Sequence, residues 1–270
     1  MTNNKHYQEI VSMISRLAYS RDMWEIFCDF MEMSAICVSN TVDKKYFDVR
    51  EEQYLKTIRK YTPEHQKLFP QMFGELVLAL ECEYQGGSFV DVLGNLFHGL
   101  ELHNKYRGQF FTPQHTCTMM GKITLGDSDK TVQEIGYIPV LEPACGSGAM
   151  VLGFAQAMRD SGYNHSQQML VTGIDIDLKC VHMAYLQLSL YGIPAIIVHG
   201  TTLSLEEWSR WYTPAYIFGG WDWRSRRYAK QAETPCGDEQ PKVILPMPHE
   251  AVRACDESDQ LSLFADGGEI

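Results

Sequence analysis

The chain has 270 residues, of which 45% are hydrophobic, and a formal net charge of −11. Its length and apolar content suffice for one large domain, or for a domain with a helical annex. The acidic balance argues against tight, autonomous binding to DNA, which usually needs a basic surface.

Residues 1–105 are predicted to form an N-terminal helical region, because apolar side chains recur along it at helical spacing. Thr62-Pro63, a threonine cap followed by proline, predicts one helix start, and Gly86-Gly87 predicts a helix end. Ser88 with Asp91 three residues later resembles a capping box that opens the next helix. The aromatic residues of this region are most simply core, and no catalytic group is assigned to it.

The segment at residues 108–113 reads Gly-Gln-Phe-Phe-Thr-Pro. Thr112 and Pro113 predict a helix start, with the threonine as the cap and the proline in the first turn. The backbone N–H groups at such a start suit an anionic group such as a carboxylate. Capping alone is the simpler interpretation, and the two are compatible.

An apolar run over residues 137–141 leads into Glu142 and then into Pro-Ala-Cys-Gly-Ser-Gly at residues 143–148. This order predicts a β-strand whose carboxyl end presents a nucleotide-like ligand to backbone amides. Gly146 and Gly148 lack a Cβ and permit close approach of a ligand. Val151 occupies the third glycine position of G-x-G-x-x-G, so a dinucleotide site is disfavoured.

Downstream, strands and helices alternate, which predicts an α/β fold with a parallel sheet and right-handed crossovers. The predicted strands are residues 137–141, 169–175 and 195–200, and the predicted helices are residues 149–161 and 177–191. Asp175 ends the second strand, where ligands bind such sheets and a carboxylate can accept hydrogen bonds from both hydroxyls of a ribose. Asp177 is predicted to cap the following helix.

These motifs resemble those of the adenine-N6 DNA methyltransferases, especially the modification subunits of type I restriction systems. In that family a Phe/Tyr-Phe/Tyr-Thr-Pro segment and an Asp/Glu-Pro-Ala-Cys-Gly-Ser-Gly segment together hold S-adenosylmethionine. Residues 91–97 resemble the helix that precedes the Thr-Pro segment, and the resemblance extends to Leu203. It implies a Rossmann-like S-adenosylmethionine-dependent methyltransferase domain that transfers methyl groups to adenine N6 in DNA.

The resemblance also implies which residues hold the cofactor. They are Phe111, Thr112, Glu142, Ala144, Gly146, Asp175, Ile176 and Thr201. Asp175 is implied to bind the ribose, and Ile176 to pack on the adenine ring. Thr201 stands near the position where the family usually has an Asp or Asn that accepts from the adenine amine, and threonine supplies an uncharged acceptor instead.

Adenine-N6 transfer needs a further motif, (D/N)PP(Y/F/W), which is not found. Its polar side chain and a prolyl carbonyl accept hydrogen bonds from the poorly nucleophilic target amine, and its aromatic residue stacks on the flipped base. The best candidate is Thr213-Pro214-Ala215-Tyr216, in which Tyr216 is the catalytic candidate together with Thr213 and Pro214. Residues 205–212 before it are predicted to form an amphipathic helix rather than a strand.

Two groups of side chains near this point have two interpretations each. The four tryptophans either stack on bases or close an open edge of the sheet, and the second interpretation is favoured. They are Trp208, Trp211, Trp221 and Trp223. A local basic cluster either contacts phosphates or is a solvated loop. It consists of Arg224, Arg226, Arg227 and Lys230.

Residues 231–270 are predicted to be a disordered acidic tail, which leaves residues 106–230 for the methyltransferase domain. In the tail, Gln260-Leu261-Ser262-Leu263-Phe264 resembles the bacterial sliding-clamp-binding pentapeptide, with Leu263 and Phe264 as apolar anchors and Gln260 and Leu261 as further contacts. The predicted partners are DNA, the sliding clamp, and a specificity or completing subunit. The alternative to an active enzyme is a catalytically impaired adaptor that binds S-adenosylmethionine and docks on the clamp.

The eight cysteines lack C-x-x-C pairs and zinc-like spacing with histidine, so no metal site is predicted. Neither a signal peptide nor an apolar run of transmembrane length is found in the sequence. We therefore expect a cytoplasmic protein with reduced thiols and no membrane partner.

Overall fold

The computed structural model describes residues 5–102, 112–126 and 128–232. Its N-terminal part is helical, as predicted. The helices are α1 (Lys5–Leu17), α2 (Met23–Val42), α3 (Phe47–Ile58), α4 (Pro63–Gln66), α5 (Leu68–Gln85) and α6 (Val92–Gly99), with a 3-10 turn at Lys44–Tyr46. None of the helices in the described ranges combines the length and apolar character needed to span a bilayer.

The helix starts in this part follow local capping signals, with one correction. Thr62 caps α4 by accepting a hydrogen bond from the His65 N–H, as predicted. The start of α6 is capped by Asp91, which accepts from the Gly94 N–H at 2.8 Å. The predicted opening at Ser88 is wrong, because the Ser88 N–H donates to the Glu83 carbonyl and so closes the end of α5.

The second part alternates strands and helices around a four-stranded sheet. The helices are α7 (Gln114–Leu125), α8 (Asp129–Ile135), α9 (Ala149–Asp160), α10 (His165–Gln168), α11 (Leu178–Leu190), α12 (Pro214–Phe218) and α13 (Trp221–Ala232). The strands are β1 (Ile138–Glu142), β2 (Met169–Asp175), β3 (Ala195–Thr201) and β4 (Glu206–Tyr212). Their order is β1-β2-β3-β4, with the first three parallel. The predicted α/β fold, Rossmann-like in its parallel strands, is confirmed.

Strand β4 corrects the prediction of a helix at residues 205–212. It runs antiparallel to β3, with Trp211 opposite Ile197 and Tyr212 opposite Ile196. The reversal occurs at Leu205, whose φ of 58° is left-handed, so a tight hairpin replaces the predicted helical crossover. Pairing along β3 supplies backbone hydrogen bonds that local helical spacing cannot anticipate, and aromatic residues favour strands.

The sheet is covered on both faces. One hydrophobic cluster runs from Ile10 in α1 to Trp211 in β4, so the N-terminal helices share a core with α9 and α11. A second cluster covers the opposite face, where α12 and α13 pack. Its buried members are Tyr137, Ile196, Val198, Tyr216 and Trp221. The predicted boundary near residue 105 lies outside the described residues, and the first cluster extends across it in space.

Helices α7 and α9 pack with their backbones in close approach. A Cβ at Gly153 would lie 2.4 Å from the backbone carbonyl carbon of Cys117, and a Cβ at Gly121 would lie 2.7 Å from the Gly153 oxygen. Only glycine fits at both positions without a shift of one helix. The contact fixes α7, which follows the Thr112-Pro113 segment, against α9, which follows residues 143–148.

Candidate active site

The turn at residues 143–148, called the glycine turn below, is attached to the carboxyl end of β2. The Cys145 N–H donates to the Ile174 carbonyl at 2.8 Å, and the Gly146 N–H donates to the Asp175 carboxylate at 2.8 Å. Gly146 and Gly148 have φ values of 53° and 94°, a left-handed conformation that favours glycine. The glycine turn therefore has a fixed position at the carboxyl edge of the sheet.

Two carboxylates, Glu142 and Asp175, end adjacent parallel strands at this edge. Glu142 is the register partner of Gly173, two residues before Asp175, so strand spacing puts the two Cα atoms about 8 Å apart. Burial raises the pKa of Glu142, and the charge of Asp175 raises it further. Burial also raises the pKa of Asp175. Two partly buried acids that repel each other favour a ligand that brings hydrogen-bond donors or positive charge.

The loop after Asp175 holds an exposed apolar side chain. Asp177 caps α11 by accepting from the Lys179 N–H at 2.9 Å, which confirms its predicted capping role. Ile176 is 65% exposed. Its side chain is thus accessible beside Asp175, where the resemblance implied contact with an adenine ring.

His199 and Trp208 also lie at this edge, and of the two only Trp208 was a candidate from the sequence, as one of four tryptophans that could stack on bases. His199 is the register partner of Asp175, and its Nε2 lies 3.2 Å from the Ile176 carbonyl oxygen. Its ring packs edge-on against Trp208, with 4.7 Å between ring centroids. Burial lowers the pKa of His199, which favours a neutral ring. Counting to the carboxyl end of β3 could have found His199, whereas the wrong helix prediction for residues 205–212 concealed that Trp208 lies on a strand beside it.

The loop after β3 approaches the glycine turn. Thr201, the last residue of β3, is half-buried. The next residue, Thr202, donates from its hydroxyl to the Pro143 carbonyl at 2.6 Å. This hydrogen bond holds the β3–β4 loop against the glycine turn, next to the exposed Ala144, so Thr201 lies at the same edge as Glu142.

Thr112 lies just before α7 but does not cap it. The cap position is Pro113, whose carbonyl accepts from the Thr116 and Cys117 N–H groups, and no side chain caps this end. The predicted threonine cap is therefore wrong: the helix begins one residue later than a Thr112 cap requires. Burial, together with the charges of Asp91 and Glu142, raises the pKa of the Cys117 thiol to about 11. The first turn of α7 is thus within electrostatic reach of Glu142. Phe111 lies outside the described residues.

Tyr216 lies at the opposite edge of the sheet. Thr213 caps α12, and its hydroxyl accepts from the Ala195 N–H and donates to the Ile193 carbonyl, both at 2.9 Å. These residues are at the amino end of β3, about 20 Å along the strand from its carboxyl end. Tyr216 is buried there, beside Trp221. Strand β4 runs antiparallel and returns the chain to the amino edge, so the prediction that Tyr216, with Thr213 and Pro214, stacks on a base at the reaction centre is corrected.

The four tryptophans do not form one cluster. Trp211 is buried against His182 and the Arg50 guanidinium, and Trp221 is buried against Tyr137. Trp223, 64% exposed, lies on α13. The favoured prediction that these residues together close an open edge of the sheet holds only for Trp208 and Trp211, which lie on β4 and so along the edge of β3, whereas Trp221 and Trp223 lie on α13.

The basic cluster of α13 makes local contacts. Arg224 donates to the Gln167 carbonyl at 2.9 Å and stacks on Trp221, and Arg226 pairs with Asp222 at 3.0 Å. The helix starts close to the amino edge of the sheet, away from Glu142 and Asp175. The pentapeptide at residues 260–264 lies outside the residues that the structure describes.

Two solved structures resemble this chain at 15% sequence identity. A Listeria monocytogenes protein described as a class I S-adenosylmethionine-dependent methyltransferase gives a TM-score of 0.37, over 73% of this chain and 53% of that chain. The type I restriction-modification system methyltransferase subunit from Streptococcus thermophilus gives a TM-score of 0.39, over 77% of this chain and 60% of that chain. Neither score is high enough to support an argument.

Over 176 residues the chain is 28% identical to the type I restriction enzyme MpnII methylase subunit of Mycoplasma pneumoniae; the match covers 62% of this chain and 30% of that protein. The chain therefore spans less than a third of the length of this relative. The family model for N-6 DNA methylases matches residues 90–239, more than half of the chain. That match includes the glycine turn, Asp175 and Thr201, and on this evidence the chain belongs to the N-6 DNA methylase family.

Proposed function

We propose that this chain is a subunit of an S-adenosylmethionine-dependent methyltransferase that modifies adenine N6 in DNA. Within it, residues 112–202 hold the cofactor. The observation that carries the proposal is the meeting of Glu142, Asp175 and the glycine turn at one edge of a parallel sheet, in a chain of the N-6 DNA methylase family.

The residues at this edge fit the chemistry of S-adenosylmethionine. The cofactor carries positive charge on its sulfonium and ammonium groups, and its ribose has two hydroxyl donors. Burial raises the pKa values of Glu142 and Asp175, so each carboxylate would be stabilised by such donors. The exposed Ile176 offers an apolar surface for the adenine ring. When bound, S-adenosylmethionine supplies a methyl group that a nitrogen nucleophile can attack.

Each residue at the edge has a distinct role in this proposal. Asp175 accepts hydrogen bonds from the ribose hydroxyls with the lone pairs that Gly146 and Asp177 leave free. Glu142 would hold the cationic part of the cofactor through its carboxylate. The glycine turn, through Ala144 and Gly146, allows the backbone to approach it closely.

Two further elements complete the proposed pocket. Thr201 supplies an uncharged acceptor for the adenine amine. The N-terminus of α7, which follows Thr112, favours the carboxylate of the methionine moiety, because its first backbone N–H groups have no helical partners. Phe111, which directly precedes it in the sequence, is proposed as a further contact by resemblance alone.

The groups that activate the target amine are proposed to come from another subunit. The sequence contains no (D/N)PP(Y/F/W) motif, and Tyr216 is at the far edge of the sheet. The Mycoplasma pneumoniae relative is named as a methylase subunit of a type I restriction enzyme. We therefore expect this chain to co-purify with a second protein when both are expressed together, and a strictly monomeric, fully active chain would contradict this assembly.

The function is tested by cofactor binding and by methyl transfer. Calorimetry on the purified chain is expected to show binding of S-adenosylmethionine that its demethylated product competes away. Tritiated methyl groups are expected in unmethylated, adenine-rich duplex DNA when the chain is supplemented with cell extract, and digestion should return the label as N6-methyladenine. Asp175→Ala should strongly weaken the binding and lower methyl transfer with it. Absence of binding by the wild-type chain, or label only in cytosine or protein, would overturn the proposal.

The pentapeptide at 260–264 supports a separate proposal about a partner. Gln260-Leu261-Ser262-Leu263-Phe264 places two apolar anchors, Leu263 and Phe264, in a polar stretch of sequence, a pattern suited to capture by a groove on the sliding clamp. Immobilised clamp should retain the wild-type chain and lose the Leu263→Ala/Phe264→Ala double variant. A Ser262→Ala variant is the matched control and should bind as the wild type does. Equal retention of all three chains would remove the clamp as a partner.

A further inference from the structure

A buried carboxylate outside the proposed cofactor contacts joins the two segments that form the pocket. Asp91 is buried, and one of its oxygens accepts from the Ser147 hydroxyl of the glycine turn at 2.6 Å. The other oxygen accepts from the Gly94 N–H and from the Gln187 amide, each at 2.8 Å. Gln187 also donates to the Ser147 carbonyl at 2.7 Å. Asp91 is therefore bound to the glycine turn through fully buried partners.

The backbone of the same residue is bound to the start of α7. The Asp91 N–H donates to the Gln114 side-chain oxygen at 3.3 Å, and the Gln114 amide donates to the Phe89 carbonyl at 2.8 Å. Gln114 is the first residue of α7, two positions after Thr112. Asp91 thus contacts the α7 start through its main chain and the glycine turn through its side chain.

We propose that Asp91 is a positioning residue that sets the separation between the α7 N-terminus and the glycine turn, and so controls the affinity for the methyl donor. The inference rests on the proposed function, because it assumes that both segments contact one bound molecule. Asp91 is 56 residues from Ser147 and 23 from Gln114 in sequence, so neither local backbone preference nor a shared helix holds these partners together. Burial raises the pKa of Asp91, and the hydrogen bonds from its three donors lower it. Loss of one donor would therefore leave a buried carboxylate with fewer hydrogen bonds than it needs.

The test removes one partner at a time, because Asp91→Ala itself can prevent folding. Ser147→Ala deletes the side-chain link, and Gln114→Ala deletes the main-chain link. Each is expected to weaken S-adenosylmethionine binding about tenfold in calorimetry, the equivalent of about one hydrogen bond. The loss of affinity in the double variant should be clearly smaller than the product of the two single fold-losses, since both links act through Asp91.

Gln156→Ala is the matched control. Gln156 accepts from the Phe89 N–H at 2.9 Å and donates to the Gly87 carbonyl at 3.2 Å, so it binds the same segment from α9 without contacting Asp91. Its replacement should shift the urea midpoint about as much as Gln114→Ala does, yet leave cofactor affinity within about twofold. A purely structural role for Asp91 would instead shift the urea midpoints and leave the affinity of the folded protein the same in every variant.

The outcomes separate this inference from the proposed function. If the wild-type chain fails to bind S-adenosylmethionine, the proposed function is overturned and this inference falls with it. If the wild-type chain binds, and Ser147→Ala and Gln114→Ala bind equally well, the inference alone is overturned.

Discussion

The backbone N–H of Gly146 donates a 2.8 Å hydrogen bond to the carboxylate of Asp175, across 29 residues of sequence. The two motifs that the sequence presents separately, the glycine turn and the acidic end of β2, are therefore in direct contact. Asp175 also accepts from the Asp177 N–H at 2.9 Å, so it organises its own loop as well as the glycine turn. A carboxylate with two such bonds still has lone pairs for a ligand.

Asp175→Ala is predicted to lower the affinity for S-adenosylmethionine about a hundredfold, because it removes the proposed ribose acceptor and releases the glycine turn. Isothermal titration calorimetry measures this directly. Thr62→Ala is a matched control, since Thr62 caps α4 in the N-terminal helical part by accepting from the His65 N–H at 3.4 Å. That variant should lose about 1 kcal/mol of unfolding free energy and keep full affinity. Unchanged binding by Asp175→Ala would refute the assignment of Asp175 to the cofactor.

Features with local signals were predictable from the sequence. The strand Met169–Asp175 was predicted with its observed ends, and Asp177 was predicted as a cap, because an apolar run and a capping side chain act on neighbouring residues. Strand β4 was not predictable in this way. Its pairing with β3 is a tertiary interaction, and it overrides the helical spacing of residues 205–212.

The site was predictable only in part, for the same physical reason. Glu142 and Asp175 could be placed together, since the carboxyl ends of parallel strands meet at one edge. The hydrogen bond between Asp91 and Ser147 joins residues 56 positions apart, and no periodicity or spacing in the sequence predicts it. The location of Tyr216 depended on the direction of β4, so an error in one element moved the catalytic candidate to the wrong edge.

Gly153→Ala is predicted to destabilise the protein by about 3 kcal/mol. A Cβ there would lie 2.4 Å from the Cys117 backbone, and a helix cannot yield as a flexible side chain does. Gly74→Ala is the matched control, because Gly74 lies inside α5 and, beyond the adjoining backbone of that helix, no atom lies within 4 Å of its Cβ position. That variant should gain about 0.5 to 1 kcal/mol. Urea denaturation measures both, and equal effects of the two substitutions would contradict the close approach of α7 and α9.

Arg50→Ala is predicted to cost about 3 to 5 kcal/mol of unfolding free energy. Arg50 is buried, pairs with the buried Asp43 at 3.0 Å, donates to the Arg210 carbonyl of β4 at 2.8 Å, and stacks over Trp211. Its removal leaves the Asp43 charge uncompensated. The double variant Arg50→Met/Asp43→Asn should therefore recover a large part of the loss. If the double variant is as unstable as Arg50→Ala, the buried charge is not the cause.

His182→Phe is predicted to make the protein less sensitive to acid. Burial lowers the pKa of His182 to about 3, with the charges of His199 and Arg50 acting in the same direction. Unfolding restores the ordinary pKa near 6.5, so between pH 6.5 and about 3 the unfolded chain binds a proton at His182 and the folded chain does not. Stability contributed by the neutral ring is therefore complete above pH 6.5 and declines as the pH falls from there towards 3.

Between pH 7 and pH 5 this linkage costs the wild-type protein about 2 kcal/mol. Phenylalanine cannot take up the proton, and it keeps an aromatic ring against Trp211, which His182 contacts at 4.8 Å between ring centroids. The unfolding free energy of both proteins is measured by urea denaturation at pH 7 and at pH 5. On going from pH 7 to pH 5, the wild-type protein should lose about 2 kcal/mol more than His182→Phe does. His165, whose pKa burial also lowers, is present in both proteins and cancels in the comparison. Parallel pH dependence of the two proteins would show that His182 is protonated without unfolding.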